Sequence, residues 1–217
     1  MDASQDIFRA YDIRGVYGTE LDAEIGEQIG LVFGNYLRKF NESGTVSIGS
    51  DARTSSPELQ TAVSTGISRA GFDVDVIGMV PIPVANYCTW NASLGDDPYL
   101  AGVYITASHN PAEYNGIRFR HPDGAGYTEG NIEIKRMFFE EQAKEHSVSG
   151  RINILSTDEE LNNYTDFVMS KMGNLDGMRI AIDPGLSLIH ISEPTRRYAI
   201  SYAGMGVKKK SGGGGGG

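Results

Sequence analysis

Gly102-Val103-Tyr104-Ile105-Thr106-Ala107-Ser108-His109-Asn110-Pro111 is the stretch on which the fold reading turns. Its first half is a short apolar run of β-branched and aromatic residues, the pattern of a buried strand. Its second half is small, polar and rigid, the chemistry of a turn. A buried strand that delivers one serine into the loop at its end is how an α/β enzyme presents a nucleophile. A serine hydroxyl does not attack unaided; it needs a base, a metal or a preloaded group. The stretch contains no G-x-S-x-G elbow, which speaks against a serine hydrolase. On these residues alone, Ser108 and Asn110 read equally well as residues that only cap and turn the loop.

Outward from this strand, helical and extended patterns alternate. Leu21, Ile25, Ile29, Val32, Phe33, Tyr36, Leu37 and Phe40 fall on one helical stripe, with Asp22 as its N-cap. Residues 45–49 form a short strand that runs into a loop holding Asp51 and Arg53. Leu59, Ala62, Val63, Gly66, Ile67 and Ala70 make a second helix, stopped by Gly71. Residues 73–80 are a strand closed by Pro81 and Pro83, and 84–94 a third helix in which Trp90 packs. Residues 100–106 carry the serine loop. Tyr114-Asn115-Gly116 reads as a turn before a short strand at 117–121, and 129–145 as a polar-faced helix. Strands alternating with helices predict a layered α/β domain over residues 1–150. Small residues at Ser147-Val148-Ser149-Gly150 mark a boundary. Beyond it a helical pattern at 157–172 and a buried-strand pattern at 178–183 read as the start of a second α/β domain over 151–185.

Composition bounds the function. Of 217 residues, 40% are hydrophobic, enough for a true core, yet no run approaches the length of a membrane span. The polar, acidic start Met1-Asp2-Ala3-Ser4-Gln5-Asp6 has no secretory pattern, so a cytoplasmic protein without a membrane partner is expected. A single cysteine, Cys88, allows no internal disulfide and reads as a small packed side chain. The net charge of -9 argues against a nucleic-acid partner. An acidic chain that binds an anionic ligand must gather its cations locally. Neither G-x-G-x-x-G nor G-x-x-x-x-G-K-[ST] occurs, which ranks a nucleotide-binding domain last. A stand-alone binding or regulatory module remains the rival to an enzyme.

Four motifs, in order, resemble those of the α-D-phosphohexomutases, the phosphomannomutase/phosphoglucomutase family. They are Phe8-Arg9-Ala10-Tyr11-Asp12-Ile13-Arg14-Gly15; Gly49-Ser50-Asp51-Ala52-Arg53-Thr54-Ser55, similar to G-x-D-x-R-x-S; Gly78-Met79-Val80-Pro81-Ile82-Pro83, with Ile82 where threonine is common; and the T-A-S-H-N-P-x-x-Y-N-G run from Thr106 to Gly116. The resemblance implies a layered α/β/α first domain and a mutase that interconverts hexose 1-phosphate and hexose 6-phosphate. Ser108 would carry the phosphoryl group, and a hexose 1,6-bisphosphate would be both intermediate and activator. Arg14, His109 and Arg118 would be catalytic; Arg9, Tyr11 and Asn110 would bind phosphate or sugar. Many relatives have lysine at the position of Arg118. Because arginine stays protonated, Arg118 can clamp a phosphate but makes a poor base, and His121 is a nearby alternative. The implied Mg²⁺ would bind phosphorylated Ser108 and three aspartates of a D-G-D-G-D-R loop that this sequence does not contain. Asp96, Asp97 and Asp123 lack that spacing and read as solvated turn residues. The substrate class is a phosphosugar, with the Y-N-G form leaning towards mannose and glucose; the oligomeric state is not legible.

Residues 186–217 break the pattern. After Ile180-Ala181-Ile182-Asp183-Pro184-Gly185 the family continues into Asn-Gly and a helix, whereas here Leu186-Ser187-Leu188-Ile189-His190-Ile191-Ser192-Glu193-Pro194-Thr195-Arg196 resembles a translated transposase-type sequencing adaptor. Lys208-Lys209-Lys210 and six terminal glycines complete that reading. The expectation is a read-through artefact and an N-terminal fragment inactive by itself; the alternative is a natural Lys/Gly linker.

Overall fold

Apolar residues three and four apart between Ile25 and Leu37 wind into the first helix of the computed structural model, which describes residues 5–173. This helix, α1 (Ala23–Leu37), begins where Asp22, in extended conformation, accepts the Ile25 amide proton at 2.8 Å. After it come strand β2 (Thr45–Ser50), helix α2 (Ser56–Arg69), strand β3 (Asp73–Met79) and helix α3 (Ile82–Ala92). Gly71, with φ of +91°, turns the chain from α2 into β3 as the sequence requires. The serine-bearing strand is β4 (Ala101–Ile105), buried at every position. Strand β5 (Tyr114–Arg120), helix α4 (Thr128–Glu140), strand β6 (Ile152–Ile154) and helix α5 (Thr157–Lys171) complete the order, with β1 (Ile13–Val16) near the N-terminus.

The strands form one sheet in the order β1-β5-β4-β2-β3-β6. Strands β4, β2, β3 and β6 run parallel, while β5 lies antiparallel to both β4 and β1. Helices α1, α2 and α4 cover one face, where Phe33 stacks on Phe119 with ring centroids 3.9 Å apart. Helices α3 and α5 cover the other, around Ile77, Val84, Cys88 and Tyr104. This is a three-layer α/β/α domain with a mixed sheet. Helices α1 and α2 pack backbone to backbone: a Cβ on Gly66 would lie 2.0 Å from the Glu27 carbonyl oxygen. Truncating Phe33 to alanine would cost about 3–5 kcal/mol in such a core.

The layout departs from the sequence reading in four places. Tyr114-Asn115-Gly116 lies inside β5 and not in a turn, because these residues pair with Val16, Gly15 and Arg14 of β1. Strand β1 itself was hidden by the polar look of its signature. Helix α4 ends at Glu140, short of 145. Finally, the chain beyond the boundary at 150 joins the same sheet. Ile152–Ile154 pairs with β3, and α5 packs its Leu161 and Tyr164 on the α3 side of the core. The expected strand at 178–183 and the unusual stretch 186–217 lie outside the described residues.

Candidate active site

Parallel strands β2 and β4 end side by side, and the two loops at their carboxyl ends build the site. This is where open α/β sheets place their ligands. Ser108 sits at the tip of the loop after β4, exposed, with φ of 58°. It is the only non-glycine residue with positive φ among the described residues. That conformation costs an L-residue about 1–2 kcal/mol, so the surroundings must hold it. The Ser108 amide donates to Thr106 Oγ1 at 2.9 Å, and the Thr106 hydroxyl donates to Asp51 Oδ2 at 2.7 Å. Ser108 Oγ lies 3.0 Å from His109 Nδ1. With Nδ1 unprotonated, His109 accepts the serine proton; with it protonated, it donates to an oxygen on Ser108.

Arg53 holds the loop from beneath. Its Nη1 donates to the carbonyls of Pro111 at 2.6 Å and Tyr114 at 3.0 Å; its Nη2 donates to those of Ser108 at 3.0 Å and Asn110 at 2.7 Å. The remaining edge, Nε, faces Asp51 Oδ2 at 3.2 Å. Asp51 is itself held at the start of α2, where Ser56 Oγ donates to its Oδ1 at 2.7 Å. Asn115, fully buried, donates to Ser55 Oγ at 2.8 Å and accepts from the Gly116 amide at 2.8 Å, fastening β5 to the same place. Asp51, Arg53 and Asn110, with Ala52, Thr54 and Ala112, line an open cavity of ≈ 460 Å³ beside the loop.

The cations come from β1 and β5. Arg14 donates through Nε to Asp12 Oδ2 at 2.8 Å and through Nη1 to the Ala107 carbonyl at 3.1 Å, which ties it to the residue before Ser108. Arg118 Nε is 3.6 Å from the same Asp12 oxygen and is buried without a hydrogen-bond partner. Arg120, one strand period further on, is pushed below the usual arginine range by burial first and by the charge of Arg118 second. Arg14 and Arg118 thus share one buried carboxylate, leaving a local surplus of positive charge in a chain that is acidic overall. Arg9 is exposed and pairs with no carboxylate among the described residues. Tyr11 is 67% exposed.

Other residues singled out from the sequence have plainer places. His121 stacks on Tyr127 at 3.7 Å. Asp96 and Asp97 are exposed, and Asp123 accepts the Ala125 amide proton in a turn. Trp90 packs edge-on to Phe167. Cys88 is buried and donates to Glu160 at 3.1 Å; burial pushes its thiol well above the ordinary range. Among the described residues no three carboxylate, histidine or cysteine side chains converge on a metal position. The site's own carboxylates, Asp12 and Asp51, are engaged by arginine and hydroxyl groups. The donors described here therefore do not make up a Mg²⁺ site.

A serine at positive φ, with Arg53 on its carbonyl and Arg14 on that of the residue before it, on an α/β/α domain, coincides with a family match. The family model described as phosphoglucomutase/phosphomannomutase, alpha/beta/alpha domain I, matches residues 5–145. The chain belongs to this family. A "Probable phosphoglucosamine mutase" of Methanobrevibacter smithii is 34% identical over 184 residues, which are 83% of this chain and 39% of that protein. A phosphomannomutase of Vibrio cholerae is 41% identical over 112 residues, 51% of this chain and 23% of that one. Among solved structures, a phosphoglucomutase/phosphomannomutase family protein of Burkholderia thailandensis matches with a TM-score of 0.64 at 33% identity, covering 74% of this chain and 35% of that one. The chain thus spans about two fifths of the length of the first of these relatives and less than a quarter of the second.

Proposed function

We propose that this is the phosphoserine-bearing domain of a phosphohexomutase that interconverts hexose 1-phosphates and hexose 6-phosphates. The observation that supports it is the geometry of Ser108: exposed at a strand end, at positive φ, beside His109, with Arg14 on the carbonyl of the preceding Ala107. In the proposed step the free hydroxyl of a hexose monophosphate gives up its proton and attacks the phosphorus on Ser108. The P–O bond to the serine breaks, the sugar keeps the phosphoryl group as a hexose 1,6-bisphosphate, and the serine oxygen takes up a proton. The reverse transfer from the other end of the sugar restores phosphoserine. Such a reaction is mostly positioning and charge neutralisation. Arg14 and Arg118 supply fixed positive charge; Arg9, Tyr11 and Asn110, on the exposed side, meet the incoming phosphosugar. Because Arg118 stays protonated, the serine proton is assigned to His109, whose Nδ1 lies 3.0 Å from Ser108 Oγ.

Mg²⁺ belongs to the proposal as a cofactor for which Ser108 is the ligand among the described residues. The 217 residues alone are proposed to be without turnover, since the site is open and the other ligands do not occur among the described residues. The relatives are named for both glucosamine and mannose, so the sugar is an assay result. The protein is proposed to act in the cytoplasm on phosphosugars, without nucleic-acid or membrane partners. The test is to express the open reading frame that carries these residues, sequenced through the codons for Gly185 and Leu186. It is then assayed with glucose, mannose and glucosamine 1-phosphates and a hexose 1,6-bisphosphate. At least one should turn over, and Ser108→Ala should lower the rate by at least about a thousandfold. Turnover that survives this substitution would dispose of the proposal.

A further inference from the structure

The G-x-D-x-R-x-S segment has no role in the chemistry just described, yet its two charged residues make the densest polar contacts of the site. We propose that Asp51 and Arg53 form a positioning pair that sets the conformation of Ser108 for phosphoryl transfer. The inference rests on the function proposed above for its kinetic consequence, but not for its structural one.

Arg53 spends four of its five donors on carbonyls of the serine loop, at Ser108, Asn110, Pro111 and Tyr114. Elsewhere the loop is tied at its two ends, by Arg14 on the Ala107 carbonyl and by the Tyr17 amide on the Glu113 carbonyl. Its own backbone bonds are two turns, from the Asn110 amide to Ala107 and from the Tyr114 amide to Pro111. Asp51 completes the clamp from the other side: it fixes the guanidinium through Nε, and it accepts from the Thr106 hydroxyl that receives the Ser108 amide. One ion pair therefore reaches both peptide groups of Ser108, its N–H through Thr106 and its C=O directly. Fixing both ends is what holds a serine at φ of 58°.

Electrostatics point the same way. The four carbonyl dipoles end on a guanidinium, so their negative ends are neutralised and do not face a phosphoryl group on Ser108. The Arg53 side chain is only 13% exposed, and its donors are consumed by the loop. Arg53 is thereby a positioning residue and not a substrate ligand. Lysine cannot replace it, because one ammonium has three donors and no planar fork.

The test compares Arg53→Lys with the parent sequence by two readouts. Hydrogen exchange on the full 217-residue chain should show the Ser108, Asn110 and Tyr114 amides exchanging at least tenfold faster in the variant, with β4 and α1 unchanged. In the mutase expressed from the same reading frame, kcat should fall at least a hundredfold while KM stays within threefold. Free guanidinium added to Arg53→Ala should restore part of the rate, and methylammonium should not. Unchanged exchange of the loop amides, or kcat kept within threefold, would overturn the inference. If the parent enzyme turns over no hexose phosphate, the functional proposal fails, while the exchange result still decides the positioning role.

Discussion

Gly116 shows how closely one residue can couple the sheet to the chemistry. It lies in β5 opposite Arg14, and its carbonyl accepts the Thr106 amide at the base of the serine loop. A Cβ at this position would stand 2.3 Å from the Ile13 carbonyl oxygen and 2.9 Å from that of Thr106. Both obstacles are backbone, so β1 or the loop must move. Gly116→Ala should cost about 1–3 kcal/mol, seen as a melting temperature lower by roughly 3–10 °C. An unchanged melting curve would mean that the two strands have slack the packing does not show. At this scale the sequence was informative about identity and poor on partnership. The motif spacing brings Ser108 and His109 together because they are adjacent, and Arg14 came from the resemblance. That Arg53 reaches four carbonyls more than fifty positions away could not be read from spacing, because it depends on β2 and β4 ending side by side.

Elements were legible where one physical signal dominated. Helix α1 follows its apolar stripe and its aspartate cap, and β4 its continuous apolar run. Strands β1 and β6 were not legible, since β1 is a glycine- and arginine-bearing edge and β6 is three exposed residues whose pairing is decided by β3. Between elements, α4 and the end of α1 are joined by charge. Glu133 accepts from Arg136 Nε and Nη2 at 2.8 Å each, and Lys39 Nζ reaches it at 2.6 Å. The bonds from Arg136 first, then Lys39, pull the carboxyl down to about 2. The folded value lies below the ordinary unfolded one, so the pair stabilises the fold above about pH 4.3 and loses that contribution as the pH falls towards 2. The Glu133 side chain is 34% exposed, so solvent screens the pair and the contribution is small. An NMR titration should find Glu133 ionised well below pH 4, and Arg136→Gln should raise its midpoint. A midpoint already in the ordinary carboxylate range would show that these contacts do not persist in solution.

For the whole molecule, the layered α/β/α class follows from the alternation of patterns, and the family from four ordered motifs. The domain limit was harder to read, because small residues at 147–150 look like a linker whether or not the next strand joins the same sheet. The purified 217-residue chain is predicted to fold over the described residues 5–173 and to show no mutase turnover. Steady-state turnover at a rate ordinary for enzymes would refute that. The central claim, however, concerns one oxygen atom. The reading frame that carries these residues should be expressed, incubated with a hexose 1,6-bisphosphate and Mg²⁺, and mapped by peptide mass spectrometry. A phosphate is expected on Ser108, absent from Ser108→Ala along with turnover; phosphate on another residue, or turnover with Ser108 unmodified, would contradict that claim.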